Sequence, residues 1–152
     1  MRTFEEMMPM LRQFSRAMTK HSLVDRKSYD FGVGMSLHSA EIHMVTTVNM
    51  HDGTGVTELA EELGTTKGAV SQLVGKLVKK RLLMKEADPE HGARVIIRTT
   101  DLGKTASDNH MAFHREHDRD FVEYMSQLDD VSYETIRDFG KQMNLWMDNY
   151  LK

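Results

Sequence analysis

The sequence contains no cysteine, which excludes a disulfide framework, thiolate metal ligands and a thiol redox switch. No apolar run approaches the roughly 20 residues that a membrane-spanning helix needs. The first ten residues, MRTFEEMMPM, lack the basic start and apolar core of a signal peptide. Internal repeats and low-complexity tracts are also absent. We therefore expect a cytoplasmic protein of ordinary globular composition.

With 152 residues, the chain is long enough for one compact domain and too short for two. Its formal net charge of -3 is unlike that of many nucleic-acid-binding proteins, which are often basic overall. The distribution of charge is more informative than the sum. Between Lys67 and Lys85 there are six Lys or Arg residues and no acidic residue. This segment therefore creates a positive field that suits an anionic partner.

The stretch from Val56 to Leu83 has the pattern of a helix-turn-helix. In its first helix, Leu59, Ala60 and Leu63 share an inward face. Gly64 follows as the permissive residue of the turn, and Thr65 or Thr66 is expected to cap the next helix.

The second helix of this motif has an apolar face and a polar face. The apolar face follows the 3-4-7-8 spacing of a buried helical stripe and consists of Val70, Leu73, Val74, Leu77 and Val78. The polar face carries Lys67, Ser71, Gln72, Lys76 and Lys80. Hydroxyl, amide and ammonium groups of this kind suit phosphates and base edges. A lysine-rich helix end is also typical of a face that is merely solvated.

Two helices are predicted before this motif. Thr3 and Glu6 form a capping-box pattern, but Pro9 favours an effective start near Met8, and the helix should end before Tyr29. Residues 29–34 contain two glycines and are predicted to form a loop. Ser36 or Ser39 is expected to cap a second helix that runs to about Asn49. Its inward residues are predicted to be Ile42, Val45 and Val48.

After Leu83 the apolar period changes. Residues 82–87 and 94–100 are predicted to be two strands, and residues 88–93 have the composition of a hairpin tip. Thr100 or Asp101 should cap a long helix over residues 102–128. Ser132 is predicted to cap a last helix that ends near Tyr150. The apolar stripe of this last helix fits a subunit interface or burial within one subunit, and it consists of Ile136, Phe139, Met143, Trp146, Met147 and Tyr150.

This order of elements resembles the MarR family of transcriptional regulators. The matching motifs are Leu37-His38-Ser39-Ala40-Glu41, Glu58-Leu59-Ala60, residues 64–74 and Thr100-Asp101-Leu102-Gly103. There are departures, because His38 and Glu41 replace a usual Thr and Gln. Arg81 stands where Gly commonly ends the helix, and Gln72 replaces a frequent Arg. Gly92-Ala93-Arg94 keeps one of the two arginines that the family often has at the wing.

The resemblance implies a mainly α fold: a winged helix-turn-helix with a two-stranded β wing and a dimerisation region made of the N- and C-terminal helices. Residues 1–152 would then form a single MarR-like domain. Its winged helix-turn-helix lobe would span about 36–100, and residues 1–28 and 101–152 would supply the dimerisation helices. The implied function is that of a sequence-specific transcriptional regulator that binds double-stranded DNA as a homodimer. Because most members of the family are repressors, repression is the implied mode.

A two-fold symmetric dimer implies a pseudo-palindromic operator with half-sites about 34 Å apart. By position in the motif, the residues implied to contact DNA are Thr65, Thr66, Lys67, Ser71, Gln72, Lys76 and Arg94. The family commonly responds to a small aromatic or anionic effector. The side chains that fit such a cleft, or alternatively the plain core, are Phe31, Met35, Met111 and Phe113.

Eight histidines suggest a second kind of ligand. His110, His114 and His117 share one face of the predicted long helix, and imidazoles four residues apart on a helix can bind one metal ion. A complete site needs ligands from elsewhere. His43 is the first candidate, and the further candidates are Asp25, Asp30, His38 and Glu41.

The zinc-sensing branch of the family narrows this choice. Resemblance to it implies the set Asp25, His43, His110 and His114. Zn²⁺ would then be a regulatory ligand, with Ni²⁺ or Cu²⁺ as alternatives, and no cofactor would be required. Exposed histidines on a polar helix are the alternative interpretation.

Two other classes of protein were weighed. A hydrolytic metal enzyme is disfavoured, because the sequence has no H-E-x-x-H motif, no nucleophile elbow and no phosphate-binding glycine loop. We therefore expect no enzymatic activity. A winged-helix protein that binds other proteins and not DNA remains the third alternative.

Overall fold

The computed structural model describes residues 1–92 and 94–151, with only the backbone of Leu151. In chain order, this part of the chain forms α1 (Phe4–Asp25), β1 (Ser28–Asp30), β2 (Ser36–His38), α2 (Ser39–Met50), α3 (Val56–Glu62), α4 (Lys67–Lys79), β3 (Leu83–Ala87), β4 (Val95–Thr99), α5 (Asp101–His117), α6 (Arg119–Ser126) and α7 (Asp130–Leu151). The predicted fold class, mainly helical with a two-stranded wing, is confirmed. None of the described helices is long and apolar enough to span a bilayer.

The chain divides into two compact units, Met1–Met111 and Ala112–Lys152. The core of the first unit is built from α2, α3, α4 and the wing. Its fully buried apolar side chains include Ile42, Val45, Val48, Leu59, Val70, Val74, Leu77, Leu82, Leu83 and Ile97. The inward positions predicted for α2 are therefore confirmed. In α4, Leu73 and Val78 are only half-buried, so the buried stripe is narrower than predicted.

Helix α1 begins at Phe4, and the predicted effective start near Met8 is wrong. The Thr3 hydroxyl accepts a hydrogen bond from the Glu6 N–H at 3.3 Å, and Glu6 Oε2 accepts one from the Thr3 N–H at 2.9 Å. This capping box satisfies two of the unpaired donors at the helix end. Pro9 lies inside the helix, where it removes one hydrogen bond without ending the helix.

Residues 29–34 were predicted to form a loop, but they include the end of strand β1. Strand β1 pairs antiparallel with β2, with Tyr29 opposite Leu37. The turn between them uses positive φ at Gly32 and Gly34, and the Asp30 carboxylate accepts hydrogen bonds from the backbone of residues 33 and 34. Strands of three residues are too short to show a two-residue alternation in sequence. The pairing of β1 with β2 also places the N-cap of α2 at His38, which lies two residues after Ser36 and one residue before Ser39, the two predicted caps.

Helix α4 is defined by its two ends. The Thr66 hydroxyl accepts a hydrogen bond from the Ala69 N–H at 3.2 Å, so Thr66 is the N-cap. At the other end, Arg81 adopts a φ of 60°. The Leu82 N–H bonds the Leu77 carbonyl and the Arg81 N–H bonds the Val78 carbonyl, both at 3.0 Å. This is a Schellman motif, with arginine at the position that glycine usually occupies.

The wing connects α4 to α5 through a very close backbone contact. Strands β3 and β4 pair antiparallel, with Leu83 opposite Thr99, as predicted. The Thr100 hydroxyl donates to the Arg81 carbonyl at 2.6 Å and accepts from the Gly103 N–H at 3.0 Å. A Cβ atom at Gly103 would lie only 2.1 Å from the Leu82 carbonyl oxygen. The first turn of α5 therefore requires glycine here.

The predicted helix over 102–128 is wrong, because α5 ends at His117 and α6 begins at Arg119. Asp118, between them, has φ -97° and ψ 2°, outside the helical region. Helix α7 is capped by Asp129 and not by the predicted Ser132, since Asp129 Oδ1 accepts the Ser132 N–H at 2.8 Å. In this second unit the exposed apolar side chains on α6 and α7 include Phe121, Val122, Tyr124, Val131, Ile136, Leu145, Trp146 and Tyr150.

We predict that Gly103→Ala destabilises the protein by about 1–3 kcal/mol, because its methyl group would overlap the Leu82 carbonyl and force the backbone apart. Urea denaturation followed by circular dichroism measures the loss. Gly75→Ala is the control, since Gly75 lies inside α4 with no atom within 4 Å of an added Cβ. That change should stabilise by about 0.5–1 kcal/mol. Equal stability of the two variants would contradict the close contact.

Arg81→Gly should stabilise the protein by about 1 kcal/mol, because a left-handed backbone costs a side-chain-bearing residue about 1–2 kcal/mol that glycine avoids. For a chain of this size, the melting temperature should rise by about 2–4 °C in a thermal scan. Lys79→Gly, one step inside the helix end, should instead lower it. A lower melting temperature for Arg81→Gly would contradict this prediction and would show that the arginine side chain makes a compensating contact.

Candidate DNA interface and histidine cluster

The N-terminal half of α4 presents a continuous polar surface to solvent. Its buried face is used by Val70 and Val74, so the residues on the other side are turned outward. The exposed side chains there and in the preceding turn are Thr65, Thr66, Lys67, Ser71 and Gln72. Hydroxyl, amide and ammonium groups at the start of a helix can bond phosphates and base edges. These five predicted contact residues therefore lie together on one accessible face.

Lys76, a sixth predicted contact residue, has a partner that the sequence did not reveal. Its Nζ lies 3.0 Å from Oε1 of Glu41 on α2, and the Nζ of Lys80 lies 2.7 Å from the same oxygen. Glu41 is 2% exposed, whereas the Lys76 side chain is 55% exposed. One buried carboxylate therefore holds two lysines of the candidate DNA-binding helix.

The Glu41 carboxylate is ionised despite its burial. Burial alone would raise the pKa of Glu41. The Lys80 ammonium, the His38 N–H and the Lys76 ammonium together outweigh that effect and lower the pKa to about 2. The His38 N–H donates to Oε2 at 3.1 Å, so both carboxylate oxygens have partners. This use of Glu41 also removes it from the predicted metal-ligand candidates.

Arg94, the predicted wing contact, is held against the helix-turn-helix. It forms an ion pair with Glu58 of α3, and its Nη1 lies 3.9 Å from Oδ2 of Asp88. A Cβ at Gly55 would lie 2.7 Å from the Glu58 carboxylate and 3.5 Å from Arg94. The side chain of Arg94 remains 45% exposed, so the guanidinium is both paired and accessible to an anion.

The structure brings His43 of α2 next to His110 of α5. Their ring centroids are 5.3 Å apart, and a ring nitrogen of one lies within 4.8 Å of a ring nitrogen of the other. His114 follows His110 by one turn of α5, which places the two rings on the same side of that helix. His110 is buried and His43 is exposed. The structure thus brings together His43 and His110, two of the four predicted metal ligands.

Each of these three histidines has a hydrogen-bonding partner at Nδ1. The partners are Thr46 Oγ1 for His110 at 3.1 Å, Ser39 Oγ for His43 at 3.4 Å and Asp118 Oδ2 for His114 at 2.6 Å. In protein metal sites, a bond at one ring nitrogen orients the imidazole so that the other nitrogen ligates. Within the first unit, His43 and His110 are therefore oriented so that Nε2 can bind a metal.

The other predicted ligands are less directly placed. Asp25 accepts a hydrogen bond from Ser39 Oγ at 3.1 Å and forms an ion pair with His21, so it is connected to His43 through the Ser39 hydroxyl. Asp30 binds the turn between β1 and β2. His38 caps α2. The structure thus connects Asp25, but not Asp30, to the histidine cluster.

The residues predicted to line an effector cleft have structural contacts of their own. Phe31 is buried, lies edge-on to His110 at a centroid distance of 5.2 Å, and its carbonyl accepts a hydrogen bond from Asn109. In the second unit, Phe113 stacks on His117 at 3.9 Å. Phe31 is therefore part of the core of the first unit, which was the alternative interpretation.

Known proteins resemble both the motif and the whole fold. The model of the MarR family matches residues 34–94, from the β1–β2 turn to the end of the wing tip. The uncharacterized HTH-type transcriptional regulator YhjH of Bacillus subtilis is 26% identical over 98 residues, which are 64% of this chain and 56% of that protein. The matched segment is thus little more than half of that relative. The family likeness therefore covers the helix-turn-helix and most of the wing, at residues 34–94.

Solved MarR-family structures share this fold at low sequence identity. The adhesin competence repressor AdcR of Streptococcus pyogenes has a TM-score of 0.72 and 17% identity, covering 96% of this chain and 98% of its own. The zinc-responsive ZitR of Lactococcus lactis has a TM-score of 0.67 and 16% identity, covering 93% and 99%. FabT of Streptococcus pneumoniae, solved in complex with DNA, has a TM-score of 0.67 and 12% identity, covering 97% and 99%.

The relative from B. subtilis is an HTH-type transcriptional regulator, and the structure of FabT contains DNA. The family consists of regulators and not of enzymes, in agreement with the function class expected from the sequence.

Proposed function

We propose that this protein is a MarR-family repressor that binds a pseudo-palindromic operator as a homodimer. The observation that carries the proposal is the exposed polar face at the start of α4, which is backed by a buried apolar stripe and flanked by a wing. Two such helices in a two-fold dimer would enter major grooves about 34 Å apart.

Each predicted contact residue has a role that follows from its chemistry. Thr65, Thr66 and Lys67 at the start of α4 hold phosphates. Ser71 and Gln72, one turn further on, reach base edges, and a glutamine amide pairs best with adenine. Two more contacts come from Lys76 on the same helix and Arg94 on the wing, each of which keeps about half of its side chain exposed.

Exposed apolar side chains support the homodimer. On α1 these are Phe4, Met10, Met18, Leu23 and Val24, and on α7 they include Ile136, Trp146 and Tyr150. Soluble proteins rarely leave so many large apolar side chains uncovered. A second copy would cover them, in line with terminal dimerisation segments at residues 1–28 and 101–152 around a DNA-binding lobe at 36–100.

The test is binding to the DNA upstream of the protein's own gene. Lys67→Met should weaken binding to all sequences and reduce the slope of log K against log salt by about 0.9, because one phosphate contact is lost. Gln72→Ala should cost about 1–3 kcal/mol at one base pair and relax specificity only there. Fluorescence anisotropy on a set of single-base variants measures both effects, and titration should give two protomers per operator.

Lys104→Met is the matched control, because Lys104 is an exposed lysine on α5, outside the helix-turn-helix. Its affinity and salt slope should equal those of the unmodified protein. Absence of binding, or binding that does not weaken steeply with salt, would favour the protein-interaction alternative instead.

We further propose that Zn²⁺ regulates this repressor through His43, His110 and His114, with Asp25 as the fourth ligand. The adjacent rings of His43 and His110 and the Nδ1 partners of all three histidines favour this version. Three imidazoles and one carboxylate suit Zn²⁺, with Ni²⁺ or Cu²⁺ as competitors. The zinc-responsive ZitR, a neighbour with the same fold, adds support by analogy.

The regulatory effect would be one of linkage. His43 belongs to α2, which packs against α4, and His110 belongs to α5. A bound ion would link α2 to α5. It would thereby change the fraction of dimers whose two α4 helices match the spacing of successive major grooves in DNA.

After loading with Zn²⁺ and removal of the excess, elemental analysis should find about one ion per protomer. His110→Ala should lower zinc affinity by at least the roughly 10–100-fold that loss of an outer-shell partner causes. His51→Ala, an exposed histidine at the end of α2, is the control and should keep the ion. If the protein binds no zinc and its DNA affinity does not change when zinc is added, the zinc proposal is overturned and a small organic effector is favoured.

A further inference from the structure

We propose that Glu41 is a positioning residue of the DNA interface, and that its carboxylate makes Lys76 and Lys80 present one net positive charge to DNA instead of two. Both ammonium groups lie within 3.0 Å of the same carboxylate oxygen. The proposal rests on the DNA-binding role of α4.

Because Glu41 is buried, its negative charge is neutralised by these two lysines and not by ions from solvent. Glu41 is 2% exposed, so solvent ions cannot approach its carboxylate, and the two lysines are its counterions. A buried carboxylate of this kind stays paired because separation would leave an uncompensated charge. An acid at the surface would instead be screened by salt and would exchange partners freely.

The two lysines differ in exposure. The Lys80 side chain is 25% exposed and has the shorter contact, at 2.7 Å, whereas the Lys76 side chain is 55% exposed. Lys80 therefore neutralises the carboxylate from the inner side, and Lys76 carries the remaining positive charge to the surface. Glu41 also fixes the position of that charge, because its other oxygen is held by the His38 N–H.

The salt dependence of DNA binding counts this charge directly, since the slope of log K against log salt is about -0.9 per phosphate neutralised. Glu41→Gln keeps the shape and the acceptor for His38 but frees the second charge. Its slope should be steeper than that of the unmodified protein by about 0.9. A purely structural role would lower affinity at every salt concentration and leave the slope unchanged.

Two further variants separate local from global charge. Glu123→Gln makes the same change in net charge at an exposed position on α6 and should leave the slope unchanged. Glu41→Gln combined with Lys80→Met restores one net charge and should return the slope to its original value.

Lys80→Met alone keeps the test valid if Glu41→Gln does not fold. It leaves Glu41 neutralising Lys76, so the slope should be shallower by about 0.9, even though Lys80 is mostly buried. Circular dichroism checks folding of every variant.

The outcomes separate this inference from the proposed function. If the unmodified protein shows no salt-dependent DNA binding, the repressor proposal fails. If it binds normally but Glu41→Gln keeps the original slope, or Lys80→Met leaves it unchanged, the charge-sharing role of Glu41 is overturned and the repressor proposal stands.

Discussion

The candidate DNA-binding helix α4 is tied to α2 by the ionised carboxylate of Glu41, which is buried between α2 and the end of α4. The apolar stripe that includes Val70 and Val74 drives α4 onto the core, but hydrophobic burial is non-directional and tolerates small rotations. The ion pairs from Glu41 to Lys76 and Lys80 instead join α2 to the end of α4 at two named positions. Removing one partner of a buried ion pair typically costs about 3–5 kcal/mol, because the remaining charge is left unpaired. Apolar packing thus holds α4 against the core, and the buried carboxylate adds a charged connection between its end and α2.

Much of the fold could be predicted because it follows from short-range patterns. The 3-4-7-8 stripe of α4 and the β-branched run of β4 each specify an element within a few residues. The secondary-structure predictions that were wrong concern segments whose structure does not follow from a periodic apolar pattern. The three-residue strands are too short for a pattern, and the break at Asp118 has no glycine or proline to mark it. At this break Asp118 contacts His114. In the sequence, these two residues look like an ordinary i, i+4 pair within a continuous helix.

The exposure of the candidate contact residues could be predicted from the sequence, but their ion-pair partners could not. Exposure of Ser71 and Gln72 follows from helical period alone. The fold alone brings Lys76 to Glu41 and Arg94 to Glu58, because each of these pairs is separated by at least 35 residues in the chain. One signal was available. Glu41 lies on the same helical face as the buried Val45 and Val48, and a carboxylate at an inward position requires a cationic partner. The lysines of α4 are the nearest cations that the predicted topology offers.

Helix α2 contacts both the candidate DNA-binding helix α4 and the buried histidine of α5, His110. Glu41 reaches α4 from its first turn. Thr46 bonds His110, and Asn49 both donates to Ser107 and accepts from Thr99 of the wing. Each of these polar groups is partly or fully buried, so breaking its bond would cost about 1–3 kcal/mol. Small displacements of α2 are therefore resisted from three directions, and a ligand at His43 and His110 can reach α4 only through a rearrangement that exchanges these bonds together. A ligand that bound there would therefore switch the protein between discrete arrangements and would not bend it gradually.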